Sequence, residues 1–73
     1  MVKSRILIVE DDPIVAADIE SLILEQKNYL ISGVAHDAST AFDIIANRIV
    51  DLVLLDINPV SYTHLTLPTI LLV

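Results

Sequence analysis

The sequence predicts an α/β protein in which three parallel strands alternate with two helices, in the order βαβαβ. Two unbroken apolar runs, Ile6-Leu7-Ile8-Val9 and Leu52-Val53-Leu54-Leu55, each stop abruptly at acids, Glu10-Asp11-Asp12 and Asp56. A short run with no polar side reads as a strand buried on both faces. Between the runs lie two stretches of helical period, each opened by an aspartate suited to capping. Strands alternating with helices call for a parallel sheet with right-handed crossovers. In a doubly wound sheet the third strand lies on the far side of the first from the second, order 2-1-3. The carboxyl ends of strands one and three are then neighbours at a topological switch point, where such sheets place their functional side chains. Asp11 and Asp56 are expected to face one another across it.

The first strand is expected over Arg5-Ile6-Leu7-Ile8-Val9. Asp12-Pro13 then starts a helix, with Asp as N-cap and Pro at the first helical position. Val15, Ile19, Leu22 and Ile23 fall on one face, with Asp18, Ser21 and Glu25 opposite. Lys27-Asn28 is the expected end, the base near the negative pole of the dipole and Asn as C-cap. Residues 29–35 read as a second strand, less apolar and at a sheet edge, with Gly33 marking a bulge. Asp37 caps a second helix whose Phe42, Ile45, Ala46 and Ile49 form a core stripe. Residues 51–57 are the third strand, with Asp51 a solvated starting residue.

Composition bounds the function. The chain has 73 residues, enough for one small unit whose stability is marginal. No cysteine is present, so neither a disulfide framework nor a thiolate metal site is available; this fits a cytoplasmic protein. A formal charge of -6 argues against nucleic acid as a partner of this segment. No apolar run approaches the roughly 20 residues of a membrane span, and acids follow the first strand too closely for a signal peptide.

Glu10, Asp11 and Asp56 are thereby expected at one sheet edge. Carboxylates that close raise one another's pKa unless compensated. A hard cation such as Mg²⁺, held by one or two carboxylates and keeping several waters, is the natural compensation. Such a site suits phosphoryl transfer to a carboxylate.

The runs Ile6-Leu7-Ile8-Val9-Glu10-Asp11-Asp12-Pro13 and Asp51-Leu52-Val53-Leu54-Leu55-Asp56-Ile57-Asn58, at the interval that separates them, resemble the first half of a response-regulator receiver domain of two-component signalling. The resemblance implies a truncated flavodoxin-like fold over residues 1–59, and the 2-1-3 order belongs to that family's sheet as well. It implies that Asp56 is the phosphoacceptor and Asp11 a direct Mg²⁺ ligand. Glu10 is then a ligand through water, and the backbone carbonyl of Asn58 the third protein ligand. The implied partner is a sensor histidine kinase or phosphotransfer protein, and the module is a signalling domain rather than an enzyme. The family also carries a Thr or Ser after a fourth strand and a Lys after a fifth. Neither matches here, since the only lysines are Lys3 and Lys27. The resemblance also implies a downstream effector domain, expected outside these 73 residues.

All ten acids and four bases lie between Lys3 and Asp56, and residues 57–73 carry none. Within that uncharged stretch, Val60-Ser61-Tyr62-Thr63-His64-Leu65-Thr66-Leu67-Pro68-Thr69 resembles a translated sequencing-library adapter of the transposon-end type. Residues 70–72 would then be its barcode, and Val73 the codon before its stop. Residues 60–73 are accordingly expected to be a non-native tail, irregular or extended. The rival expectation is a genuine apolar tail that adds a strand.

Two other functions compete. An aspartyl-phosphate-type phosphohydrolase also begins with an apolar strand ending in acids, but it would put its nucleophile at Glu10, a poor match. A nucleotide- or flavin-binding domain needs a glycine-rich first turn, and Gly33 is the only glycine. Asp12 reads as a helix cap, His36 as a surface loop residue with no partner for metal binding, and His64 is assigned no role.

Overall fold

The computed structural model describes residues 3–56 and 70–72. The elements are β1 (Ser4–Val9), α1 (Pro13–Leu24), β2 (Tyr29–Ala35), α2 (Ala38–Asn47), β3 (Leu52–Leu55) and β4 (Ile70–Leu72). All strands are parallel, in the order β2-β1-β3-β4. The β1-α1-β2-α2-β3 portion, with its 2-1-3 sheet, is a doubly wound arrangement consistent with the opening portion of a flavodoxin-like α/β fold.

β1 is central, so its run is buried on both faces: Ile6, Leu7, Ile8 and Val9 are each 3% exposed or less. Fully burying one such side chain is worth about 2 kcal/mol. Leu7, Val9, Ala35, Val53 and Leu55 of the sheet form one core with Val50 and with Ala41 of α2, against which Ala38, Ile44 and Ile45 of the same helix pack. The crossovers leave β1 in opposite directions, which puts α1 on the other face. There the cover is thinner. β3 alternates accordingly, Val53 and Leu55 buried and Leu52 and Leu54 half-buried, where a strand buried on both faces was expected.

The helix starts follow the expected chemistry. Asp12 caps α1, its Oδ1 accepting from the Ile14 N–H at 2.9 Å and the Val15 N–H at 3.4 Å, with Pro13 at the first position. Asp37 caps α2 through the Thr40 N–H at 2.8 Å. The faces differ from expectation. In α1 only Ala16 is fully buried, flanked by half-buried Val15, Ile19 and Ile23, while Leu22 is 63% exposed. In α2 the buried residue is Ala41; Ala46 is exposed and Ile49, beyond the helix, is 65% exposed. Small residues mark the lines of closest approach to the sheet, and the bulkier apolar residues flank them.

α1 also ends earlier than Lys27-Asn28, at Leu24 with Glu25 as C-cap and no base in its last turn. The Gln26 N–H bonds the Ile23 carbonyl at 2.9 Å, and residues 26–28 are needed to reach β2, where the Ser4 N–H meets the Asn28 carbonyl at 3.2 Å.

β2 is an edge strand with the expected bulge. Ile6 pairs with Ile31 but Leu7 with Gly33, leaving Ser32 as the extra residue. Its polar groups are satisfied locally: Ser32 Oγ donates to the Ile49 carbonyl at 2.6 Å, and the Arg48 guanidinium donates to the Ser32 carbonyl at 2.5 Å. Gly33 gives α2 room, since a Cβ there would stand 2.9 Å from Ile44 Cδ1.

Ile70–Leu72 pair with Val53–Leu55 along the open edge of β3. This is the extra strand that was the lesser expectation for the tail. An exposed strand edge accepts almost any apolar extended segment, so the pairing is indifferent to the origin of residues 60–73.

Candidate functional site

The site lies at the carboxyl ends of β1 and β3. Val9 pairs with Leu55, and the ladder runs one rung further, the Asp56 N–H donating to the Val9 carbonyl at 2.9 Å. Asp56 therefore stands in register beside Glu10. Asp56 is half-buried, Asp11 exposed, and Glu10 only 4% exposed.

Glu10 is the residue through which the acids meet. Its Oε1 accepts from the Asp12 N–H at 3.0 Å, and its Oε2 is buried with no hydrogen-bond donor. The carboxyls of Asp56 and Asp11 are the neighbouring acids that act on the Glu10 carboxyl. Neighbouring carboxyls repel one another when all are ionised, and a proton on one of them relieves the repulsion. The Asp12 N–H is the largest single influence on Glu10 and favours its ionised form. The Asp56 carboxyl, burial, the Asp11 carboxyl and the Asp56 charge together outweigh it, pushing Glu10 from 4.5 up to about 7.

At the switch point the buried acid is Glu10, which stands in register beside Asp56, while Asp11 is exposed. Among the described residues no group of three or more His, Cys, Asp or Glu side chains has the arrangement to hold a metal ion as it stands. Glu10 Oε1 is turned back to the Asp12 N–H. Asn58, the expected carbonyl ligand, lies outside the described residues, as does His64.

His36 was not expected at this site. Its Nδ1 lies 2.9 Å from the Glu10 carbonyl oxygen. The signal was present in register terms, since His36 follows β2 by one residue just as Glu10 follows β1. Asp51 behaves as expected at the other end of the sheet. Exposed, it accepts from the Arg5 N–H at 2.8 Å, and its own N–H donates to the Arg5 carbonyl at 2.8 Å. An open groove of about 500 Å³ lined by Arg5, Leu24, Leu30, Ile31, Ser32, Arg48 and Ile49 also lies towards that end and includes none of the clustered acids.

Fold and site together define an α/β sheet with a carboxylate cluster at its switch point. No family model matches the chain, and neither a curated protein nor a solved structure matches it. Among the described residues no helix is long and apolar enough to cross a membrane.

Proposed function

We propose that the chain carries the phosphoacceptor portion of a two-component receiver, with Asp56 accepting a phosphoryl group from the phosphohistidine of a sensor kinase or phosphotransfer protein. The observation that carries this reading is the placement of Asp56 in register beside a buried carboxylate whose Oε2 has no donor. An oxygen so placed calls for a proton or a cation. The donors are all oxygen, and they fit a hard divalent ion better than any other. Mg²⁺ would be held by Asp11 and Asp56, by Glu10 through water, and by the Asn58 carbonyl. When bound, it neutralises the charge of the acids and of the incoming phosphoryl oxygens.

The chain's own part is to present the nucleophile. An Asp56 oxygen attacks phosphorus in line, a P–O bond forms as the P–N bond breaks, and the bonding pair returns to the imidazole nitrogen of the donor. β3 fixes where Asp56 stands, and its bond to Val9 keeps that position beside β1. No lysine follows Asp56, so no lysine side chain is available to the transferred group from that part of the chain, and transfer to the 73-residue chain is expected to be slow and incomplete. A cytoplasmic location and the role of a signalling module rather than an enzyme go with this reading.

Incubation with a small acyl phosphate and Mg²⁺, followed by intact-mass measurement, tests it. A fractional gain of one phosphoryl group that disappears in Asp56→Asn and on chelation of the metal is expected. A gain that persists in Asp56→Asn, or none in the unmodified chain, contradicts it.

A further inference from the structure

The end of β2 reaches the acidic site through one side chain. In the parallel ladder the Glu10 N–H donates to the Ala35 carbonyl at 2.9 Å. The next rung of an unbroken ladder would run from the N–H of residue 37 to the Glu10 carbonyl. The chain has already turned at that point, because Asp37 is the N-cap of α2 and its carboxylate is closed on the Thr40 N–H. The missing rung is made by the His36 ring, whose Nδ1 stands 2.9 Å from the Glu10 carbonyl oxygen. A carbonyl only accepts, so Nδ1 must carry the proton, and the neutral ring is the Nδ1–H tautomer.

That carbonyl belongs to the peptide joining Glu10 to Asp11. Its orientation decides where the chain leaves β1 and so where Asp11 begins. The main chain of Glu10 is held to β2 on both sides, by Ala35 and by His36, and its side chain is held by the Asp12 N–H. Once ionised, neighbouring carboxylates repel one another, and the bond from the His36 ring holds the Glu10 carbonyl against such a displacement. We propose that His36 is a positioning residue of the acidic site, holding the Glu10–Asp11 peptide so that both carboxyls stay beside Asp56. The inference rests on the phosphoacceptor reading, in which these carboxyls hold Mg²⁺. In this role His36 touches neither the metal nor the phosphoryl group.

The test compares the full 73-residue chain with His36→Asn, which keeps an N–H near the place of Nδ1, and His36→Ala, which does not. In metal-free protein above the titration range of imidazole, long-range ¹H–¹⁵N correlation should show the Nδ1–H tautomer for His36. Mg²⁺ titration followed at the Asp11 and Asp56 amides should then give an affinity about five-fold weaker in His36→Ala, the effect of one hydrogen bond. His36→Asn should restore most of it. A loss of fold stability without rescue of affinity by Asn would reduce His36 to a structural residue and overturn the inference. So would an Nε2–H tautomer, or equal affinities in chains that bind Mg²⁺. If the unmodified chain binds no Mg²⁺ at all, the metal reading of the site is overturned, and the inference falls with it by a distinguishable result.

Discussion

Gly33→Ala separates the packing described above from strand propensity alone, because the two predict opposite signs. Alanine in a strand normally stabilises by roughly 0.4–1 kcal/mol, since it restricts the unfolded chain. Here the new methyl would stand 2.9 Å from Ile44 Cδ1, 3.2 Å from Cγ2 and 3.5 Å from Cγ1. Cδ1 ends a rotatable bond and can move aside. Cγ2 is fixed by the stiff β-branched torsion, so α2 itself must shift by a few tenths of an ångström. Overpacking of this kind costs about 1–3 kcal/mol, leaving a net loss of about 1 kcal/mol. With a urea slope near ~1 kcal/mol/M for so small a chain, the midpoint should fall by about 1 M at unchanged slope. Ile44→Val removes Cδ1, the closest atom, so the double mutant should recover part of the loss, with a coupling of about 1 kcal/mol. Urea titration followed by far-UV circular dichroism measures all four species. A Gly33→Ala chain as stable as the parent, with no coupling to position 44, would refute the close approach of α2 to the bulge.

Two further perturbations probe the site and its supports. Glu10 holds its proton up to about 7 in the folded chain, against an ordinary 4.5, so the folded state binds more protons between these values. Stability should therefore fall as pH rises through that window, with the full penalty present above it, and Glu10→Gln should flatten this part of the profile. An unchanged profile in Glu10→Gln, measured by urea midpoints across the window, would contradict the raised affinity of Glu10 for its proton. Asp12→Ala removes the acceptor for the Ile14 and Val15 N–H groups and should cost about 1 kcal/mol, read as a lower thermal midpoint. The same midpoint as the parent would mean that α1 is not capped as described.

Much of the fold was legible before the structure because it depended on local chemistry. The limits of β2, the two aspartate caps, Pro13 at the start of α1 and the bulge beside Gly33 all follow from residue-level preferences. The helix faces were not legible, for a physical reason. A helix lies closest to a sheet along its small residues, here Ala16 and Ala41, and a search for bulky apolar residues rotates the predicted face towards Leu22 and Ile49. The end of α1 had no glycine to mark it and was set by the length needed to reach β2. The placing of Glu10 beside Asp56 follows from strand register, which pairs Val9 with Leu55, and register is a property of two strands rather than one. The imidazole rung from His36 is of the same kind.

The central claim is that Asp56, and no neighbouring carboxyl, takes the phosphoryl group. Borohydride reduction of the acyl phosphate, followed by peptide mass mapping, locates the modified residue directly. The reading predicts that reduction converts residue 56 alone, in a small fraction of chains and only when Mg²⁺ is present. Reduction at Glu10 or Asp11 in place of Asp56, or label independent of Mg²⁺, would contradict it.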